Sequence, residues 1–200
     1  MKNSFLIFSV FVLGILVGIF TVGSPGGFTS DLTFYVLCLL LFLVGISTGG
    51  NATAWRTLRT VHLRILLVPL SVMIGTFAGV GLLSVFLSQV SLKESLAIGA
   101  GFGYYSLSSI LISEMRGETL GVIALLSNIL REITTLSLTP LLARRCGKLA
   151  PIAAGGATSM DTTLPIITQY VGKEYAMISV FSGIVLTVLS PLLIVLLLEL

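Results

Sequence analysis

Apolar stretches long enough to cross a bilayer recur along the whole of this chain, and that recurrence constrains its fold more than any other feature. About 20 apolar residues span the ~30 Å hydrocarbon core as a helix. Five stretches meet that need, at about 4–22, 32–48, 64–88, 119–143 and 174–198. Between them lies no polar block large enough for a separate soluble domain. With 56% hydrophobic and 10% charged residues and a mean hydropathy of +1.11, the chain falls well short of the roughly 25% charge of soluble domains. The expectation is an all-α polytopic membrane protein, with residues 1–200 forming a single membrane transport domain. The first stretch follows Lys2 and has the look of a signal peptide, but Gly23-Ser24-Pro25-Gly26-Gly27 makes a poor cleavage site, so it reads as a retained helix.

Charge and cysteine usage exclude several function classes. Of the eleven basic residues, seven (Lys2, Arg56, Arg59, Arg64, Arg144, Arg145 and Lys148) flank apolar runs. That is the pattern of topology determinants rather than of a nucleic-acid surface. Cys38 and Cys146 show no CxxC spacing and His62 is the one histidine, so neither a disulfide framework nor a metal site is expected. No cofactor is implied beyond a possible coupling proton or sodium ion.

Two further stretches are apolar yet interrupted. Residues 97–113 read AIGAGFGYYSLSSILIS and residues 150–168 are rich in Gly, Ser and Thr around Asp161. Irregular backbone at membrane depth is tolerated only where protein covers it or it lines a wet cavity. Placing both basic loops, 51–64 and 144–148, on the cytoplasmic side requires the first interrupted stretch to be a re-entrant hairpin. The second is then a hairpin entered from the opposite face, the N-terminus is cytoplasmic and the C-terminus external. At a constant offset of 53, Gly103 matches Gly156, Ser106 matches Ser159 and Ser109 matches Thr162. Two broken segments meeting from opposite faces is the arrangement of secondary transporters with inverted repeats.

The polar residues in these segments are the candidate substrate- or ion-binding set. Arg131 and Glu132 sit mid-span, where a charge is costly and must face protein or water. Neighbours on a helix point about 100° apart, so each needs a separate partner; Asp161 is a candidate for Arg131, which leaves Glu132 for protons, sodium or a substrate amine. Asp161, with Ser159 and Thr162 beside it, reads as a half-helix N-cap, as a substrate contact, or as both. In the first hairpin Tyr105, Ser106 and Ser108 line a pathway, or the tyrosines anchor at the interface. GxGxG at Gly99–Gly103 lacks the strand and acid of a nucleotide site. Asn128, one turn before Glu132, bonds either to it or to a neighbouring helix. A membrane protease would need a base near its serine or a second embedded Asp, and neither is evident.

GAGFGYYSLSSILISE, SNILRE and GGATSMDTTLPI, in that order and with LFLVGI at Leu41–Ile46, resemble the LysO family of bacterial lysine exporters from about Asp31 to the C-terminus. The resemblance implies efflux of L-lysine and its analogues across the cytoplasmic membrane, an external C-terminus, and an essential embedded acid where Glu132 stands. Some family members carry an acid where Asn128 stands here, and full-length members have a further N-terminal portion with additional spans and a second embedded acid. The departure leaves two possibilities, a separately encoded small membrane protein that supplies that portion or pairing of this chain with itself, and the expectation is the first, a split transporter. The competing expectations are a non-transporting accessory subunit and an exporter of another small amino or carboxylic acid.

Overall fold

The computed structural model describes residues 13, 35, 38, 39, 42, 46, 63–86 and 90–199. The chain divides into two compact units, Met1–Cys38 and Leu39–Leu200, and the continuous described segments belong to the second. The expected spans at 4–22 and 32–48 and the basic loop 51–64 lie almost wholly outside the described residues. The continuous described segments hold seven α-helices: α1 (Leu67–Ser84), α2 (Leu92–Gly99), α3 (Tyr105–Arg116), α4 (Glu118–Arg145), α5 (Ala150–Gly155), α6 (Leu164–Val171) and α7 (Ala176–Glu199). Single 3₁₀ turns precede α1 and α7, and a third, Gly156–Met160, follows α5. No strand occurs among the described residues.

Among the described residues, three helical stretches are long and apolar enough to cross a membrane: Leu67–Ser84, Glu118–Arg145 and Lys173–Glu199. They coincide with the expected spans at 64–88, 119–143 and 174–198. Their packing inverts that of a soluble bundle. Leu70, Ile74, Leu126, Leu130, Leu192 and Leu196 are exposed, while Thr139, Ser159, Ser179 and Ser190 are fully buried. Small and hydroxyl-bearing residues at the interior let helices approach closely, and the apolar exterior suits lipid. Pro140 lies in the last turns of α4, where it cannot donate a backbone bond. The Thr139 hydroxyl donates to the Thr135 carbonyl at 2.6 Å and Thr135 to that of Arg131 at 2.9 Å, back-bonding that keeps this stretch wired internally.

One end of the bundle is marked by Val68 of α1, Ile152 of α5, and Ile167 and Val171 of α6, with Ala143 of α4 and Ile178 of α7 packed on them. There α1 and α7 begin and α4 ends, so α1 and α7 run one way and α4 the other. Both arms of the second interrupted segment, α5 and α6, sit at this basic end, where Lys148 and Glu174 pair at 3.7 Å. The first interrupted segment belongs to the opposite end. Its second arm, α3, finishes where the Arg116 guanidinium donates to the Leu198 carbonyl at the end of α7, 2.6 Å away. Each interrupted stretch is therefore helix, break, helix, and the two extend toward each other from opposite ends.

Candidate functional site

The two breaks cross, and glycines make the crossing possible. After α2, Phe102 and Gly103 both take positive φ, 47° and 101°, a pairing that ends the helix and turns its backbone outward. The Phe102 carbonyl accepts from the Ala157 amide at 2.8 Å, joining the first break to the second. Gly156 has φ 62°, and a Cβ there would meet that same carbonyl oxygen and lie 3.1 Å from Arg131 Nη2. Gly103 and Gly156, paired in the sequence at an offset of 53, thus occupy the two breaks. Phe102 is fully buried and stands edge-on to Phe77 of α1, with ring centroids 5.6 Å apart.

The side chains of α4 brace this crossing. Asn128, 4% exposed, accepts from the Gly103 amide at 2.7 Å and donates to the Ala124 carbonyl at 2.9 Å. Its partner is therefore the neighbouring broken segment rather than Glu132. Arg131 donates from Nε to the Ala154 carbonyl at 2.9 Å, from Nη2 to that of Ala153 at 3.1 Å, and from Nη1 to Thr76 Oγ1 at 3.1 Å. It clamps the last carbonyls of α5, which have no partner within so short a helix. This corrects the expected pairing with Asp161: no ion pair joins the two.

Asp161 is exposed, and its carboxylate accepts from the Thr162 amide at 2.6 Å. It does not cap α6, which begins after Thr163 with no side-chain cap bond and with Pro165 in its first turn. With Tyr104, Tyr105, Ser106, Met160 and Thr162 it lines a cavity of about 300 Å³ at the crossing. One carboxylate, two phenols and hydroxyls with no cation make this lining suited to an ammonium group or small cation.

Not every expected residue reaches that cavity. Ser159 is fully buried, its hydroxyl shared between the carbonyls of Gly156 at 2.7 Å and Ser179 at 3.0 Å, while the Ser179 hydroxyl donates back to the Ser159 carbonyl at 2.7 Å. That reciprocal pair ties the second break to α7 and leaves no hydroxyl free for a ligand. Ser108 is likewise fully buried, with only 3.4 Å contacts to the Tyr105 carbonyl and Asn128 Nδ2. Glu132 is partly buried, on the stripe that carries Asn128 and Thr135. It lines neither this cavity nor the one beside Arg131, and it forms no hydrogen bond or ion pair among the described residues.

Sequence reasoning passed over Thr187 and Met160, which complete the cavity wall, and Ser179. Their signal was faint: hydroxyls at Ser179, Ser182, Thr187 and Ser190 within an otherwise apolar run. Gly183 was missed too, although a Cβ there would lie 2.6 Å from that of Met160. Its absence lets α7 sit directly against the second break.

A family model described as lysine exporter LysO matches residues 8–198, further toward the N-terminus than the motifs from Asp31 onward reach. The chain is 33% identical over 190 residues to the protein named lysine exporter LysO from Escherichia coli (strain K12), covering 93% of this chain and 62% of that one. It is 34% identical over 171 residues to a putative lysine exporter from Haemophilus influenzae, covering 84% and 85% respectively. The chain thus spans less than two thirds of the length of the first of these relatives. No solved structure matches it.

Proposed function

The chain belongs to the lysine exporter LysO family, and from that premise we propose that it exports L-lysine and lysine analogues across the cytoplasmic membrane by ion-coupled alternating access. The crossing of two broken segments from opposite ends, with an acidic cavity at the point where they meet, is the observation that supports this reading. Broken segments expose backbone and focus polar groups within a bundle, and a two-ended arrangement of this kind offers one site to two faces in turn. In this reading both interrupted segments are re-entrant, Asp161 with Tyr104 and Tyr105 receives a substrate ammonium group, and Glu132 exchanges a proton or sodium ion. Glu132 suits that role because it is an acid at mid-span with no fixed counter-charge among the described residues. The matched family is named for export and not for a reaction it catalyses.

Efflux of radiolabelled lysine from cells lacking their own exporters tests the proposal. Wild-type chain should lower retained lysine, and Glu132→Gln should abolish the effect at equal amounts in the membrane. Export by Glu132→Gln at the wild-type rate would remove that residue from the coupling role. Export seen only when a second small membrane protein is co-expressed would support the split arrangement; export by this chain alone would exclude it. No export under either condition, with the proteins present in the membrane, would overturn the lysine reading.

A further inference from the structure

A second cavity, of about 270 Å³, lies between α1, α2 and α4, and the charge in its wall is the reverse of that in the first. Arg131 lines it, and no acidic side chain among the described residues does. A guanidinium carries five N–H donors; three are engaged with Ala153, Ala154 and Thr76. One N–H on each terminal nitrogen is left without a partner among the described residues. Ser95 also lines this cavity; it is 3% exposed and its Oγ has no hydrogen-bond partner. Thr76 accepts from Arg131, which leaves its own O–H to donate, and Ser127 adds a further hydroxyl. Ser182 and Ser190 also carry a buried hydroxyl without a partner among the described residues, but of the three only Ser95 lines this cavity, where a ligand could supply the missing bond.

In a wall otherwise largely aliphatic (Val80, Leu83, Ile98, Ile123), the free N–H groups of Arg131 and the hydroxyls of Ser95, Thr76 and Ser127 gather around a buried positive charge, with no acid among the described lining residues. The complementary group is a small anion with two adjacent acceptor oxygens, which is the geometry of a carboxylate on a guanidinium edge. We propose that this cavity is a carboxylate subsite, formed by Arg131, Ser95 and Thr76, that takes the acidic end of an amphoteric substrate while the Asp161 cavity serves its ammonium end. Asn128 links the two: it lines the second cavity, and its Oδ1 accepts from the amide of Gly103, which lines the first. The identity of the substrate rests on the lysine-export reading; the affinity of the cavity for a carboxylate does not.

The test therefore separates the two. Ser95→Cys is made in a chain whose exposed Cys38 and Cys146 are replaced by Ser, and its modification by neutral methyl methanethiosulfonate is timed. Propionate should slow the reaction and propylamine should not. Equal effects of the two probes overturn the subsite, as does a cysteine that the reagent cannot reach, since a cavity open to propionate is open to it. In the otherwise native chain, Ser95→Ala should weaken lysine binding about tenfold, the worth of one hydrogen bond to a charged group, and leave cadaverine binding unchanged. An unchanged lysine-to-cadaverine ratio counts against the subsite. Protection by propionate in a protein that neither binds nor exports lysine would leave the subsite standing and remove lysine as its ligand.

Discussion

Replacing Asn128 with Ala should loosen the first break and destabilise the fold. The Gly103 amide, buried and 2.7 Å from Oδ1, would lose its acceptor. An orphaned buried donor costs about 1–3 kcal/mol. The Ala124 carbonyl would be spared, since it keeps its normal bond within the helix. Removing the carboxamide also opens a small void beside Gly101, whose backbone packs against it closely enough that a Cβ there would lie 2.6 Å from Nδ2. Together these come to about 2–4 kcal/mol. For a chain of this length that lowers the melting midpoint by roughly 5–15 °C. Ser108→Ala supplies the contrast: its bonds are both 3.4 Å, so its loss should shift the midpoint by only a degree or two, about 0.5 kcal/mol. Thermal unfolding of the purified variants in one detergent measures both. Equal shifts for the two, or no shift for Asn128→Ala, would refute the claim that Asn128 holds the first break in place.

Gly156→Ala should prevent assembly of the crossing, costing more than about 2 kcal/mol, because its φ is positive and its Cβ would strike the Phe102 carbonyl; monodisperse wild-type-like protein on size exclusion would contradict this. Gly79→Ala is the opposite case: nothing lies within 4 Å of the added methyl, so helix propensity should leave stability unchanged or raise it by up to about 1 kcal/mol, read by the same melting assay. At the start of α2, Ser91 and Glu94 form a capping box, and Ser91→Ala should cost about 1 kcal/mol. The bonds from Ser91 hold the Glu94 carboxyl below its ordinary pKa. Its contribution is therefore complete above the usual carboxylate range and is lost as pH falls through the lowered value; melting curves from neutral to acid pH should show Ser91→Ala and wild type converging at the acid end.

The three described spans and the two breaks were legible in the sequence because each depends on local chemistry. Apolar length decides which stretches can cross, and the glycines at 99, 101, 103, 155 and 156 decide where a helix cannot continue. The offset of 53 between Gly103 and Gly156 even anticipated that both would lie at breaks. It did not carry over to the hydroxyls: Ser106 stands at the cavity, while Ser159 is buried against Ser179. A serine can bond within its own turn, across to another helix or to a ligand, and its neighbours in sequence do not select among these. The same holds for Arg131. Mid-span placement demanded a partner, and Asp161 offered the obvious charge, but the tertiary structure brings the open carbonyls of α5 within reach instead. That choice frees Asp161 for the acidic cavity and leaves part of the guanidinium facing the basic one. Hydropathy and glycine placement are properties of short windows; which polar group meets which is decided only when two breaks 50 residues apart in sequence are folded against each other.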